Sequence, residues 1–256
     1  MSWSTTTYRP AQVAGPNMAV PMSRSRQSAS TRPIYIKGGV ISQASGSATF
    51  EQGKSKVICS VYGPRARKNV GGRAEFTGSG ALDAQVTYAA FSQREGKEKD
   101  DRKSRELSRV VQSALEGCVQ LHRFPKSVID VYICILEDDG SAIACCISCA
   151  SIALANAGIE MYDIVPCCVL AMMPDGNVFV DPDKDEENSA NVLCAIGCMP
   201  NANNVTCLEI ECVNNGISEE AIGNLVSTGW ATCLSLARVM RNVLKEEATA
   251  SVKISD

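Results

Sequence analysis

A largely apolar run, followed by an acidic turn and a segment of small residues, most constrains how this chain can fold. Residues 128–136 read Val-Ile-Asp-Val-Tyr-Ile-Cys-Ile-Leu, which predicts a buried β-strand, and the small residues that follow predict a helix over 141–156. A strand that leads into a helix usually offers free backbone N–H groups to an anion. Here the turn at 137–141 reads Glu-Asp-Asp-Gly-Ser, without a basic side chain, so it does not favour a bound phosphate.

The composition is that of an ordinary soluble globular protein. The chain has 256 residues, 45% of them hydrophobic and 21% charged, which suits one large α/β unit or two modest domains. A formal net charge of −3 argues against a uniformly basic nucleic-acid coat, although a local basic patch is compatible with it. No apolar run is long enough for a membrane span and no signal peptide is recognisable, so we expect no membrane partner.

The thirteen cysteines are an odd number and lie inside apolar segments. This placement favours small buried side chains in a reducing, intracellular compartment over a disulfide framework. Cys146-Ile147-Ser148-Cys149 forms a CxxC motif, but a zinc site would need a second ligand pair, and a redox site would need the motif at a helix N-terminus. We interpret these cysteines as helix-packing residues and expect neither a metal nor a cofactor.

Two successive units of strands and helices follow a Ser/Thr/Pro-rich extension, which predicts an α+β fold. Alternating or apolar segments predict strands at 40–50, 56–62, 81–91, 128–136, 164–172, 178–181, 192–198 and 205–212. Gly63-Pro64 is expected to close the strand at 56–62. Besides the helix over 141–156, helices are expected to begin at Ser104 and to cover 218–247. We therefore expect a disordered extension at 1–31, domains at 32–163 and 164–250, and a tail at 251–256.

A series of short sequence motifs runs through residues 32–245 in a specific order and spacing. They are Arg32-Pro33, Gly46-Ser47-Ala48, Gly63-Pro64-Arg65, Asp101-Arg102-Lys103-Ser104, residues 124–131, residues 157–163 and the acidic run from Asp181. Together these motifs resemble those of the RNase PH family, and more closely those of the ring subunits of the RNA exosome. The resemblance implies an RNase PH-like fold of two tandem sheet-plus-helix units packed together.

The resemblance also identifies a degenerate phosphate site. Active members of the family shorten RNA from its 3′ end by phosphorolysis, and their strand-to-helix turn is similar to Gln-Ala-Asp-Gly-Gly-Thr-Arg, whose threonine and arginine hold the phosphate. Matched position by position, this chain has Ser141, Ala142 and Ile143 where those enzymes have Gly, Thr and Arg. Since both phosphate ligands are absent, and Glu137 and Asp138 add negative charge, the resemblance implies a protein that is not an enzyme.

The acidic run matches the family's carboxylates only in part. Family enzymes carry two Asp residues six positions apart, and this chain has Asp181 and Glu187 there, which the resemblance makes vestigial carboxylates. Pro182 and the missing phosphate ligands favour the simpler interpretation, a solvated acidic loop.

The basic residues match the family pattern better than the phosphate site does. Arg102 and Lys103 match a pair that contacts RNA in active relatives, and Arg65 is a third candidate for an RNA-lining channel, with Arg67, Lys68 and Arg73 as possible additions. A solvated charged face is the alternative, because residues 95–101 are rich in carboxylates.

The absent phosphate ligands and the wording of residues 159–163 and 181–187 are most similar to the catalytically inert exosome subunit of the mRNA-transport-regulator type. This resemblance implies a structural ring subunit beneath S1/KH-type cap proteins, which helps form the entry channel for single-stranded RNA in the nucleus, nucleolus and cytoplasm. Two alternatives stay open: an active phosphate-dependent exoribonuclease, for which Arg65 would have to replace the missing arginine, and an assembly-only scaffold without RNA contact.

Overall fold

The computed structural model describes residues 30–66, 78–92, 101–212 and 217–255. Five strands form the first sheet in the order β1-β2-β3-β5-β4; they are β1 (Ile34–Gly38), β2 (Gly46–Gln52), β3 (Ser55–Ala66), β4 (Ala81–Tyr88) and β5 (Ser127–Glu137). All neighbours are antiparallel except β4 and β5. A parallel pair needs a crossover connection, and helix α1 (Asp101–Glu116) lies within it.

The second sheet is antiparallel and has the order β7-β6-β8-β9. Its strands are β6 (Cys167–Met172), β7 (Val178–Val180), β8 (Val192–Met199) and β9 (Asn204–Cys212). A short helix, α3 (Lys184–Ser189), connects β7 to β8, and the long helix α4 (Glu219–Ser255) follows β9. The α+β class predicted from the sequence is confirmed, with two sheets and four α-helices in the described residues.

Helix α2 (Ala142–Asn156) lies between the two sheets and is buried on all sides along most of its length. It packs on β2 and β3 of the first sheet and on β6 and β8 of the second. The Ser148 and Ser151 hydroxyls accept hydrogen bonds from the Cys167 and Val165 N–H groups at 3.1 and 2.8 Å, which fixes the second sheet against the helix. Because one hydrophobic core spans both sheets, the division at 163/164 stays a prediction.

Two strand predictions for the first sheet are wrong. Residues 40–45 form the connection between β1 and β2, where Gly39 has φ +66° and the Ser47 hydroxyl accepts a hydrogen bond from the Ile41 N–H at 2.8 Å. Strand β3 does not end at Gly63-Pro64 but continues to Ala66 after a register shift between Tyr62 and Arg65. Alternation of side chains alone could not show either feature, because both depend on which strand lies alongside.

Eleven of the thirteen cysteines are buried, as predicted. All thirteen are free, and all except Cys134 and Cys212 are buried. The Cys149 thiol donates to the Ala48 carbonyl at 3.3 Å, and burial raises the pKa of Cys146 well above its ordinary value. A buried thiol of high pKa is a poor nucleophile, so the CxxC motif serves packing.

Candidate functional site: a degenerate anion site

The turn between β5 and α2 is built by backbone conformations that only a few residues adopt. Gly140 has φ +92° and Ser141, the residue before the helix, has φ +57°. A Cβ atom at Gly140 would lie 2.7 Å from the Pro182 carbonyl oxygen and 2.8 Å from the Asp183 carbonyl carbon. Glycine is therefore required here for two reasons, and the turn is pressed against the segment that follows β7.

A carboxylate of the protein itself occupies the N-terminus of α2. The Ser141 N–H donates to Glu187 Oε1 at 2.6 Å, and the Ser141 hydroxyl donates to the Pro182 carbonyl at 3.1 Å. The ammonium of Lys184 lies 2.9 Å from Glu187 Oε2 and 3.6 Å from Asp138 Oδ2. A helix N-terminus favours a negative charge, and here Glu187 supplies it in place of a ligand.

Helix α3 positions Glu187 through a capping box. The Asp183 side chain accepts from the Glu186 N–H at 2.9 Å, and the Glu186 side chain accepts from the Asp183 N–H at 3.0 Å. This reciprocal pair fixes the first turn of a helix that is only six residues long. Burial acts to lower the pKa of Lys184, but the charges of Glu187 and Asp138 outweigh it and raise that pKa overall, so the ammonium is held in its charged form.

Asp181 is engaged by Arg32, whose role the sequence patterns did not reveal. Asp181 Oδ2 accepts from the Arg32 backbone N–H at 2.8 Å and from Nε at 2.9 Å, and Oδ1 accepts from Nη2 at 2.6 Å. The same guanidinium donates to the carbonyl oxygens of Asp139 at 2.8 Å and of Gly140 at 3.2 Å. Arg32 thereby links the segment before β1 to the turn between β5 and α2 and to the residue that follows β7.

The interpretation of the acidic run as a solvated loop is therefore wrong. Asp181 and Glu186 are 1% and 3% exposed, because one pairs with Arg32 and the other completes the capping box. Of the run's carboxylates, Asp185 is the exposed one. Spacing alone could not separate these cases, since the arginine that buries Asp181 lies 149 residues away in the chain.

The positions that would hold phosphate carry no suitable side chain. Ala142 and Ile143 are partly buried and pack against the main hydrophobic core, while Ser141 is bound to Pro182. Three cations that the structure places around the turn, Arg32, Lys56 and Lys184, are all paired with carboxylates. That this is a degenerate phosphate site stays a prediction.

The candidate RNA-binding residues lie at opposite ends of the first sheet. Lys103, in the first turn of α1, has its ammonium 5.5 Å from the ring centroid of Tyr88. Tyr88 pairs with Ile135, and the Asp138 N–H donates to the Ser92 carbonyl at 3.4 Å. Arg102 and Lys103 therefore lie near the end of the sheet where β5 leads into the turn before α2.

Arg65 lies at the other end of that sheet. It pairs with Val128 at the start of β5 and forms an ion pair with the buried Asp130. Nine residue steps separate Val128 from Glu137, or about 30 Å of strand. This distance excludes Arg65 as a substitute for the missing phosphate arginine. The predicted additions at 67, 68 and 73 and most of the acidic residues at 95–101 lie outside the described residues.

The fold and the strand-to-helix site together define a domain of the RNase PH class. Residues 30–160 match the family model "3′ exoribonuclease family, domain 1" (RNase_PH), and the chain belongs to this family.

Among described helices, none is both long and apolar enough to cross a membrane.

Relatives within the family carry exosome names. The chain is 35% identical over 224 residues to "exosome complex component RRP41-like" of Arabidopsis thaliana, which covers 86% of this chain and 82% of the relative. It is 34% identical to "exosome complex component MTR3" of Homo sapiens, covering 85% and 84%. Rice Rrp46 has the same fold, with a TM-score of 0.75, 22% identity and coverage of 86% and 98%. A structure titled "archaeoglobus fulgidus exosome with RNA bound to the active site" shares the fold at a TM-score of 0.72 and 19% identity, covering 83% and 90%.

Proposed function

We propose that this chain is a non-catalytic structural subunit of an RNase PH-like exosome ring, which helps form the path of RNA during 3′-to-5′ processing and degradation, including that of ribosomal RNA. The observation that carries the proposal is the hydrogen bond of the Glu187 carboxylate to the Ser141 N–H at 2.6 Å. It places a fixed negative charge at the helix N-terminus where the family's enzymes hold phosphate.

The charges around the turn support the proposal that the chain does not carry out phosphorolysis. The ion pairs around the turn contain five negative charges and three positive ones, which leaves a formal local charge of −2; the carboxylates are Glu137, Asp138, Asp139, Asp181 and Glu187, and the cations are Arg32, Lys56 and Lys184. Two like charges 4 Å apart repel by about 4 kcal/mol at an effective dielectric of 20, or about a thousandfold in affinity. An incoming phosphate would have to displace Glu187 and then face Asp138, without the threonine and arginine that hold it in active relatives.

The partners that we propose are other RNase PH-like ring subunits, S1/KH-type cap subunits and single-stranded RNA, in the nucleus, nucleolus and cytoplasm. The names of the relatives support the ring assignment, since both the RRP41-like protein and MTR3 are called exosome components. RNA contact is assigned to Arg102 and Lys103, because they lie at the same end of the first sheet as the turn between β5 and α2.

An assembly-only scaffold is the second candidate. It is favoured by the contact of Lys103 with Tyr88, which gives this cation a partner within the chain. RNA crosslinking in the assembled complex separates the two candidates, because only a channel subunit yields crosslinked peptides from α1.

Reconstitution tests ring membership. The chain is co-expressed with the RNase PH-like and cap subunits of its own source, and the intact complex is weighed by native mass spectrometry. We expect a six-membered ring that contains this chain, and a chain that self-associates or is poorly soluble when it is expressed alone. A well-behaved monomer that stays outside every complex would overturn the assignment.

A further inference from the structure

Strand β9 is the longest exposed edge in the described part of the chain. It has nine residues, about 30 Å of backbone, and pairs with β8 on one side only. Along its other side, no strand of residues 30–66, 78–92, 101–212 or 217–255 pairs with it. A long edge of this kind is a template for pairing with another chain, and proteins that do not use it usually cover, shorten or charge it.

One face of β9 is apolar and open. Val205 and Leu208 are each 47% exposed and pair with Cys198 and Ile196, whose side chains point to α4. Helix α4 packs mainly on β6 and β8. A helix about 10 Å wide covers about two strands spaced about 4.8 Å apart, so α4 leaves the β9 side of this face uncovered.

The opposite face of β9 is acidic. Glu209 and Glu211 pair with Ala195 and Leu193, on the side of the sheet that α1 and α2 cover. Partial burial, together with the charges of Glu211 and Glu106, raises the pKa of Glu209. Because Glu209 and Glu211 are exposed, they would attract positively charged side chains of a strand that pairs with β9.

A second copy of this chain is a poor occupant for the edge. Antiparallel pairing of two β9 strands centred on Ile210 would place Glu209 of each copy opposite Glu211 of the other, and like charges on facing strands are destabilising. The same carboxylates favour a strand that carries Lys or Arg at alternate positions.

We propose that β9 accepts an extended strand of a neighbouring RNase PH-like subunit as a fifth strand of the second sheet. The incoming strand presents apolar side chains to Val205 and Leu208 and Lys or Arg side chains to Glu209 and Glu211. Main-chain hydrogen bonds hold the strand, and the two faces specify its sequence. The inference rests on the proposed ring membership and identifies the surface through which a neighbour binds.

Hydrogen exchange tests strand addition directly. Amide exchange in β9 is measured for the isolated chain and for the complex with the RNase PH-like subunits of its own source. We expect the amides that point away from β8 to exchange at least about tenfold more slowly in the complex, because they become hydrogen-bonded.

Charge reversal tests the partner's chemistry. The double variant Glu209→Lys, Glu211→Lys should weaken assembly by about tenfold or more, since like charges then face the basic strand. Glu219→Lys, Glu220→Lys is the matched control; it reverses two exposed carboxylates in the first turn of α4 and should assemble normally. Circular dichroism of both variants checks that the fold is retained.

The outcomes separate the two proposals. If the native chain joins the ring while β9 exchanges freely and the charge-reversed chain assembles normally, the edge charges merely prevent aggregation and the strand-addition proposal is wrong. If the native chain joins no subunit, ring membership itself fails and this inference fails with it.

Discussion

At the scale of single residues, Glu187 places a fixed internal carboxylate at the start of α2. Its carboxylate accepts from the Ser141 N–H and lies 2.9 Å from the Lys184 ammonium, so donor and cation are both satisfied within the protein. The resemblance implies Asp at this position, and the Glu side chain is longer by one methylene. The longer side chain reaches the helix start.

Removing that carboxylate should create an anion site. In Glu187→Ala the Ser141 N–H and the Lys184 ammonium no longer have this partner, and we expect inorganic phosphate in the millimolar range to shift the Ser141 and Ala142 amide resonances. The native chain should show no such shift under the same conditions. Asp185→Ala is the control, because this residue of the same helix is exposed. Equal shifts in the native chain would show that Glu187 does not block the site.

The Arg32–Asp181 pair should act as a stability element. Both side chains are at least nine-tenths buried, and breaking a buried pair from one side typically costs about 3–5 kcal/mol. We expect Arg32→Ala to lower the free energy of unfolding in urea by about this amount, whereas Lys37→Ala on exposed β1 should change it by less than about 0.5 kcal/mol. A decrease for Arg32→Ala no larger than that of the control would contradict the pairing.

At the scale of elements, periodic segments are predictable from the sequence and pairings between distant segments are not. The strand predicted at 128–136 and the helix predicted at 141–156 agree closely with β5 and α2, because their apolar patterns are long and their flanking turns are clear. The alternation at 40–45 belongs to a connection instead of a strand, since it arises from a turn whose bonds run to Ser47. The degenerate phosphate positions follow from the resemblance, but the Glu187 and Arg32 contacts depend on how the second sheet meets the first.

Helix α2 predicts how the thiols respond to reagents. Its three cysteines are fully buried, whereas Cys212 is exposed and Cys134 half-buried. In the folded chain we expect iodoacetamide to modify Cys212 first and Cys134 second, and all thirteen only after unfolding. A reductant or a chelator should leave the unfolding midpoint unchanged. Release of stoichiometric zinc together with unfolding would contradict the packing role of Cys146 and Cys149.

At the scale of the whole molecule, the two sheets share one core and the degenerate site lies where they meet. Turn 138–141 belongs to the first half and α3 to the second, and Arg32 joins them. In this chain the contacts at that site hold the two halves together.

RNA contact should appear as a change in salt dependence. In the assembled ring, Arg102→Ala or Lys103→Ala should each remove one phosphate contact and flatten the log–log salt dependence of single-stranded RNA binding by about 0.7. The effect should be similar for different RNA sequences, because phosphate contacts carry no base information. Arg109→Ala, an exposed change further along α1, is the control. An unchanged affinity and slope would leave the assembly-only scaffold as the function.

Phosphorolysis by the purified chain tests the central claim most directly. Single-stranded RNA, inorganic phosphate and Mg²⁺ are supplied, and nucleoside diphosphates are quantified over time. We expect none above the background without phosphate, because Glu187 occupies the helix start and Ala142 and Ile143 cannot bind phosphate. Glu187→Gln is the informative companion, since Asp181→Ala also removes the partner of Arg32 and would confound catalysis with folding. Phosphate-dependent release by the native chain that Glu187→Gln abolishes would show that the chain is an enzyme.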